Sequence, residues 1–335
     1  MNVGFIGGKF LPLHLGHVYA ITYASNMVDK LYVVLSHSEK RDRELSERDG
    51  ISYISPDKRL SWLGKLASNM DNVFILDIED EYGINDYCWD DGASRIKEAI
   101  EEPINLVFSS EESYTETFNI LYPDAEHIII DNERNNIKIS ATDIRKDLYG
   151  NWYNIPKYVR KDFVKKVAVI GTESCGKSTL VRNLAKIFDT NFVSEYGRDM
   201  CEEYSNFLTE EMFDEIIYKQ KVNEIDEIKT SNRVMFIDSE AVVTQYYLGL
   251  YFNNSIKELY NQVAINQNYD MYLFLEPDVE WISDGLRNQS GECVRKTNNH
   301  HLKQMFNQLG IDYKIVKGSY IKRFNDSIEL VNKLF

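Results

Sequence analysis

Residues 167–180 read VAVIGTESCGKSTL, and residues 3–17 read VGFIGGKFLPLHLGH. Each stretch begins with a short apolar run, continues through a loop that contains glycine, and ends where a helix is expected to start. This order of strand, glycine-bearing loop and helix is typical of the first repeat of a parallel α/β sheet. The two stretches start about 160 residues apart, so the sequence predicts two such sheets.

The rest of the chain supports this interpretation, because short apolar runs alternate with stretches of helical period. Strands are predicted at residues 3–6, 31–36, 73–78, 105–109, 127–130, 167–170, 191–194, 234–237, 272–275 and 313–316. Helices are predicted at residues 18–28, 58–68, 93–101, 114–121 and 210–230, and a further helix follows the loop at 171–179. The predicted fold class is therefore α/β, with two doubly wound parallel-sheet domains at 1–150 and 165–335. Residues 151–164 are expected to form the linker between them, with the domain boundary near residue 160.

Composition excludes several classes of protein. The net charge is −15, from 38 Lys and Arg against 53 Asp and Glu, which disfavours a nucleic-acid surface. The four cysteines lack the spacing of a zinc site, and no basic leader or long apolar window is present. We expect a cytoplasmic protein that contacts neither nucleic acid nor membrane. Nothing in the sequence decides between a monomer and a homo-oligomer.

The stretch at 171–179 is a complete G-x-x-x-x-G-K-[ST] phosphate-binding loop, or P-loop. In such loops backbone N–H groups surround the phosphates, the lysine reaches the β- and γ-phosphates, and the following hydroxyl binds Mg²⁺. Lys177 is therefore the expected catalytic cation, and Ser178 an Mg²⁺ ligand. The other residues expected to contact the nucleotide are Gly171, Thr172, Glu173, Ser174, Cys175, Gly176 and Thr179.

Three features after the P-loop favour a small-molecule kinase. An acidic residue after the second strand of this half can accept the proton of the acceptor hydroxyl. Glu195 is the favoured residue, and Asp199 is the alternative. Asp238 ends a strand resembling a Walker B segment and can hold Mg²⁺. Arg287 and Arg295 lie in a polar segment that resembles a kinase lid, where arginines neutralise the transferred phosphoryl group.

The N-terminal stretch carries an H-x-G-H element after a strand. Lys9, His14 and His17 are expected to contact ATP phosphates, and the start of the helix adds its backbone dipole. A second segment, ISATDIR at residues 139–145, places Ser140, Thr142 and Arg145 at another predicted helix start. The remaining residues expected at this nucleotide site are Gly7, Gly8, Phe10 and Gly16.

These two segments closely resemble those of the nicotinamide-mononucleotide adenylyltransferases of the H-x-G-H nucleotidyltransferase superfamily. The resemblance implies that Lys9, His14, His17 and Arg145 bind and activate ATP. Residues 57–63, and the segment from Gly83-Ile84 to Trp89, resemble parts of the bifunctional members. The resemblance to these members implies that Trp89 packs on a nicotinamide ring. An indole face attracts a cationic pyridinium, so this contact is physically reasonable. Asp131 and Arg134 are either adenosine contacts or a solvated charge run.

The whole chain resembles the NadR-type bifunctional family. That resemblance implies two steps: nicotinamide riboside and ATP give nicotinamide mononucleotide and ADP, and the mononucleotide and ATP then give NAD and diphosphate. It implies Mg²⁺ as cofactor and ATP as co-substrate in both domains. Some members carry a helix-turn-helix domain in front. Because this sequence starts at the first strand, we expect no DNA-binding role.

Two rival functions stay open on sequence grounds. One is a fused adenylyltransferase and nucleoside kinase with other substrates, such as pantetheine phosphate, nicotinate mononucleotide or a deoxynucleoside. The other is a non-catalytic NAD or ATP sensor. Which aromatic residues hold nicotinamide in the kinase half is also open, and the candidates are Tyr196, Tyr246, Tyr247 and Trp281.

Overall fold

The computed structural model describes residues 1–80, 82, 87–281 and 291–335. The chain divides into two compact units, Met1–Arg160 and Lys161–Phe335. Each unit contains one five-stranded sheet in which all strands are parallel. The predicted α/β fold class with two parallel sheets is thereby confirmed.

The sheet of the first unit has the strand order β3-β2-β1-β4-β5. Its strands are β1 Val3–Gly8, β2 Lys30–His37, β3 Val73–Glu79, β4 Leu106–Ser109 and β5 Glu126–Ile129. The central strands β1 and β2 are apolar and mostly buried, as expected of a parallel sheet covered on both faces. Because β1 is central, the loop that follows it lies at the carboxyl edge of the sheet, where ligands bind in such folds.

The helices of the first unit are α1 Leu15–Ser25, α2 Glu39–Asp49, α3 Pro56–Ala67, α4 Trp89–Ile100, α5 Thr115–Leu121, α6 Ala141–Lys146 and α7 Lys157–Arg160. Helix α2 was not predicted, because its sequence EKRDRELSERD offers a single apolar residue, Leu45. The side-chain cap at Ser38 and the left-handed Gly50 mark its ends instead. Arg41 and Asp42 form much of its buried face.

The segment expected to be a linker, 151–164, differs from that prediction over most of its length. It forms a 3₁₀ turn at Trp152–Asn154 and then helix α7. The side chains of Trp152, Ile155 and Val159 are buried. Mixed charge and Pro156 favoured a linker, but these apolar residues pack into the first unit, whose boundary follows Arg160.

The sheet of the second unit has the order β10-β9-β6-β8-β7. Its strands are β6 Lys165–Ile170, β7 Phe192–Val193, β8 Val234–Asp238, β9 Met271–Leu275 and β10 Lys314–Val316. Its helices are α8 Lys177–Ile187, α9 Tyr196–Glu203, α10 Met212–Glu227, α11 Ala241–Tyr251, α12 Glu258–Asn266, α13 Glu292–Gln308 and α14 Tyr320–Asn332.

Alternate residues of β6 belong to two separate apolar clusters. Ala168 and Ile170 lie in one, and Val167 and Val169 lie in the other. Strand β6 is therefore buried on both faces, and the P-loop that follows it starts from the middle of the sheet. Within the described residues, no helix is both long and apolar enough to cross a bilayer.

Candidate nucleotide sites in the two units

His14 and His17 form a stacked pair at the start of α1. Their ring centroids are 3.7 Å apart with an interplanar angle of 28°. His14 caps the helix, and its Nδ1 accepts a hydrogen bond from the Gly16 N–H at 3.1 Å. The Nδ1 of His17 accepts from the backbone N–H of His14 at 3.4 Å. Since Nδ1 is the acceptor in both neutral rings, each ring carries its proton on Nε2 and can donate it.

The surroundings keep both rings uncharged at neutral pH. Burial lowers the pKa of His14 to about 4. Burial and the neighbouring His14 hold the pKa of His17 well below its usual range. The pKa of Lys9 is lowered by desolvation and then by the Arg41 guanidinium. The pair therefore offers neutral N–H donors. The charge of Lys9 is influenced by two cations, Arg41 and Arg145, and by two carboxylates, Asp42 and Asp80.

Two neighbours of the histidine pair have specific steric roles. A Cβ on Gly16 would lie 2.9 Å from Cε1 of His14, so glycine is required for this ring position. Phe10 adopts a φ of 45° and is buried with its ring edge-on to His17, at 4.9 Å between centroids. Gly7 and Gly8 end strand β1, and a Cβ on Gly7 would meet nothing within 4 Å.

The second predicted segment forms α6, with Ser140 as its cap in a reciprocal bond with Asp143. Arg145 is buried and bonded to its own unit at three places. It donates to Asp49 at 2.6 Å, to the Leu11 carbonyl at 2.7 Å and to Thr142 Oγ1 at 3.1 Å. Arg145 thus joins α6 to α2 and to the loop after β1. Its remaining N–H groups are all that it can offer to a phosphate.

Trp89 opens α4 within an aromatic cluster. Its ring lies 5.1 Å from those of Tyr87 and Tyr114, and 5.8 Å from that of Phe118. Gly83 and Ile84, which resembled the family segment before Trp89, lie outside the described residues. The two residues considered for adenosine serve local contacts: Asp131 accepts from the backbone N–H groups of Asn136 and Ile137, and Arg134 pairs with Glu111.

Sequence reasoning missed a buried charged network beneath the loop after β1. Arg41, Asp42, Arg59 and Asp80 are all almost fully buried. Arg41 pairs with Asp80 and Asp42, and Arg59 pairs with Asp42 and donates to the Lys9 carbonyl at 2.9 Å. Apolar periodicity gives no signal for such a network. It predicts the helix that carries Arg59, whereas the helix that carries Arg41 and Asp42 is indicated only by its cap at Ser38 and by Gly50.

In the second unit, the P-loop has the backbone conformation that an anion-binding loop needs. Gly171 and Gly176 have φ values of 147° and 89°, and a Cβ on Gly171 would lie 2.9 Å from the Leu275 carbonyl oxygen. Lys177 is buried and donates to the Thr172 carbonyl at 3.3 Å, and Cys175 Sγ contacts the same oxygen at 3.0 Å. Burial raises the pKa of Cys175, so this thiol is a small filler and a poor nucleophile.

A cavity of about 490 Å³ adjoins the P-loop. Residues 173–179 line it together with Glu195, Tyr247 and Tyr251. Glu195 accepts a hydrogen bond from Ser239 Oγ at 2.9 Å. Asp199, the alternative acid, is exposed on α9 and is not among the described residues that line the cavity. The geometry therefore favours Glu195 over Asp199 as the acid next to an acceptor.

Asp238 ends β8 beside the P-loop and is 2% exposed. Ser178 donates a hydrogen bond to it, and burial followed by the charge of Glu195 raises its pKa to about 7. Its Oδ1 atom has no hydrogen-bond partner within the described part of the chain. A buried carboxylate oxygen that accepts no hydrogen bond, together with a serine hydroxyl, offers the oxygen ligands that a hard divalent cation prefers.

The predicted lid is only partly described. Arg287 lies outside the described residues. Arg295 is 8% exposed on α13 and donates to the Val279 carbonyl at 2.9 Å, and its Nε and Nη2 atoms have no hydrogen-bond partner in the described ranges. It is not among the described residues that line the cavity.

The aromatic candidates separate clearly. Tyr247 lines the cavity, and so does Tyr251, which sequence reasoning missed. Their rings are nearly parallel, with centroids 6.1 Å apart. Tyr246 lies in the core, and Tyr196 bonds Glu215 at 3.0 Å. Tyr196, Tyr246 and Trp281 are not among the described residues of the cavity wall. The four-residue spacing of Tyr247 and Tyr251 on α11 is the signal that could have identified this pair.

Comparison with known proteins places both units in one family. A family model described as an AAA domain matches residues 166–323. The trifunctional NAD biosynthesis/regulator proteins NadR of Salmonella typhimurium and Escherichia coli are 33% and 32% identical to this chain, over 99% of it and 83% of each relative.

Two solved structures agree over nearly the whole chain. One, NadR protein in complex with NR, matches with a TM-score of 0.81 and 26% identity, covering 99% of this chain and 95% of that chain. Another, NadR protein in complex with NAD and AMP-PNP, has the same fold, with a TM-score of 0.79 at 24% identity and the same coverage. Full-length similarity and both nucleotide motifs lead to one conclusion: the chain belongs to the NadR family.

Proposed function

We propose that this chain makes NAD from nicotinamide riboside in two ATP-dependent steps. The second unit transfers the γ-phosphoryl group of ATP to the riboside, which gives nicotinamide mononucleotide and ADP. The first unit then joins the mononucleotide to the adenylyl group of a second ATP, which gives NAD and diphosphate. The observation that carries this proposal is that one chain, similar to NadR over 99% of its length, holds a P-loop beside a cavity and an H-x-G-H pair in separate units.

In the phosphoryl step, Glu195 accepts the proton of the acceptor hydroxyl, and Lys177 stabilises negative charge on the transferred group. Mg²⁺, when bound, would neutralise phosphate oxygens, and the residues placed to hold it are Ser178 and Asp238. The unpartnered Oδ1 of Asp238 supports that placement. Tyr247 and Tyr251 supply an aromatic wall that suits a pyridinium ring.

In the adenylyl step, a phosphate oxygen of the mononucleotide attacks the α-phosphorus of ATP, and diphosphate leaves. Catalysis of this kind depends on positioning and on neutralising charge. The Nε2–H groups of His14 and His17 and the ammonium of Lys9 serve as donors. Gly16 leaves room for the ring of His14. Arg145 holds the loop after β1 and keeps N–H groups that can bind phosphate. Trp89 is the proposed partner of the nicotinamide ring.

The cellular setting is part of the same proposal. The four cysteines are free, and Cys175 is a buried thiol inside the P-loop, which suits a reducing cytoplasm. The ligands we propose as partners are nicotinamide riboside, nicotinamide mononucleotide, NAD and ATP.

Product analysis by mass tests the acceptor in each step. The chain is incubated with Mg²⁺-ATP and, in parallel, with nicotinamide riboside, nicotinate riboside, deoxyadenosine and pantetheine phosphate. We expect phosphorylation and adenylylation of the nicotinamide compounds to be the fastest reactions. Faster turnover of deoxyadenosine or pantetheine phosphate would assign the chain to other substrates, and binding without turnover of any acceptor would indicate a sensor.

A further inference from the structure

Arg323 is a buried arginine on α14 that donates a hydrogen bond to the P-loop. It is 2% exposed. Its Nη1 donates to the carbonyl oxygen of Cys175 at 2.5 Å, and its Nε donates to the Gly318 carbonyl at 2.8 Å. We propose that Arg323 is a positioning residue for the phosphoryl step, which holds the Cys175–Gly176 peptide group so that its N–H faces the bound phosphate.

The geometry of the peptide bond links the Cys175 carbonyl to the direction of the Gly176 N–H. In a trans peptide the C=O and N–H bonds point in opposite directions. When the Cys175 carbonyl is turned towards Arg323, the Gly176 N–H must be turned away from Arg323. Gly176 lies on the wall of the cavity and has a left-handed φ of 89°. The arginine thus selects one of the two orientations that a glycine-bearing peptide could take.

The positive charge of Arg323 also strengthens the Gly176 N–H as a donor. A hydrogen bond from a guanidinium polarises the carbonyl that accepts it, and this polarisation makes the N–H of the same peptide a stronger donor. The other bonds of Arg323 fix it in place, since Nη2 donates both to the Glu276 carbonyl at 2.7 Å and to Asp278. Four of its five N–H groups are therefore used by the protein. Arg323 is thus placed to act through the loop, and at most one of its N–H groups remains for a ligand.

The first unit contains the same arrangement on an unrelated sequence motif. Buried Arg59 donates to the carbonyl of Lys9, and Arg145 donates to the carbonyl of Leu11. In both units, buried guanidinium groups hold carbonyl oxygens of the phosphate-binding loop. This recurrence favours a role in orienting the loops over a packing accident in one of them.

The inference rests on the proposed kinase activity of the second unit, but nucleotide binding can test it separately. The variants are Arg323→Gln and Arg323→Lys. The matched control is Val331→Ala, which removes buried apolar volume about two turns farther along the same helix. The affinity for Mg²⁺-AMP-PNP and the kinase KM and kcat are measured. The adenylyl step, supplied with nicotinamide mononucleotide, reports on the other unit.

We expect Arg323→Gln to weaken Mg²⁺-AMP-PNP binding in the second unit by about tenfold or more, as for loss of a charge-assisted hydrogen bond. The nucleotide affinity of Arg323→Lys should lie between those of Arg323→Gln and the unaltered chain. An ammonium can reach one carbonyl but cannot bind all four acceptors. Both variants should keep the affinity for riboside alone. Val331→Ala should lower the melting temperature and leave nucleotide affinity unchanged.

Equal nucleotide affinity in Arg323→Gln and the unaltered chain would overturn the inference. So would equal losses in Arg323→Gln and Val331→Ala, because a general loss of stability would then explain both. If Arg323→Gln does not fold, the nucleotide affinity of Arg323→Lys is compared with those of the unaltered chain and Val331→Ala, and the same outcomes apply. Failure of the unaltered chain to phosphorylate the riboside would refute the proposed function, while the comparison of nucleotide affinities would still judge Arg323.

Discussion

At the scale of single residues, the two proposed phosphate sites each contain a lysine and differ in the groups that accompany it. The first unit presents neutral imidazole donors, since burial lowers the pKa of His14 to about 4. The second unit presents a buried lysine, Lys177, opposite two acids, Glu195 and Asp238. Neutral donors and charged groups can both stabilise a phosphate. The acids of the second unit can in addition act as a base and bind a divalent cation.

Replacement of His14 should affect one activity alone. His14→Ala removes one N–H donor at the developing charge, so the adenylyl rate should fall by about a hundredfold or more. Phosphorylation of the riboside should stay within about twofold, because its residues lie in the other unit. Separate assays of the adenylyl and kinase rates check this. The control is His300→Ala, which replaces an exposed histidine. A matching loss in the kinase step would contradict independent sites.

Replacement of Lys177 should have the converse effect. Lys177→Ala removes the cation at the transferred phosphoryl group, so riboside phosphorylation should fall by at least about a hundredfold. Conversion of supplied nicotinamide mononucleotide to NAD should continue at an unchanged rate. Rate measurements on the two steps decide, with circular dichroism confirming that the variant is folded. Loss of both steps in a folded variant would refute the assignment.

At the scale of elements, the apolar strands and the two motifs could be predicted from sequence, because buried parallel strands and glycine-bearing loops have local signals. Helix α2 could not, since Arg41 and Asp42 form much of its buried face, which shows no apolar period. The roles of Arg59 and Arg323 were equally hidden. Each meets its carbonyl only after distant segments fold together, over separations of 50 residues for Arg59 and 148 for Arg323.

The turn that begins α1 provides a test at this scale. Gly16→Ala places a Cβ 2.9 Å from the His14 ring, so the ring must move. We expect a loss of about 1–3 kcal/mol in unfolding free energy and a drop in the adenylyl rate. Gly64→Ala is the matched control, because a Cβ there meets nothing within 4 Å. Urea unfolding and the adenylyl assay measure both effects. Equal behaviour of the two variants would show that Gly16 is not needed for the ring position.

At the scale of the whole molecule, one buried group in each unit should make stability depend on pH, and the two dependences have opposite signs. His14 has a folded pKa of about 4, below its usual 6.5. The unfolded chain therefore binds the extra proton between these values, and the first unit loses stability as pH falls from about 6.5 towards 4. In the second unit, burial raises the pKa of Glu240 from 4.5 to about 7. There the folded chain binds the extra proton, and this contribution to stability is lost as pH rises from about 4.5 to about 7.

Two variants isolate these contributions. Relative to the unaltered chain, Glu240→Gln should gain up to about 3 kcal/mol of unfolding free energy as pH rises from 4.5 to 7. His14→Asn should gain a similar amount, about 3 kcal/mol, as pH falls from 6.5 to 4. Urea titrations of each chain across this range provide the comparison. Differences that do not change with pH would show that neither group titrates as described.

The central claim is that one chain carries a riboside to NAD through two separate sites. A single time course tests it most directly: the chain is mixed with nicotinamide riboside and Mg²⁺-ATP, and riboside, mononucleotide and NAD are followed by mass. We predict that riboside falls from the start, that mononucleotide rises and then declines, and that NAD accumulates after a lag with diphosphate in equal amount. Consumption of riboside without NAD, or NAD only when mononucleotide is supplied, would contradict the account.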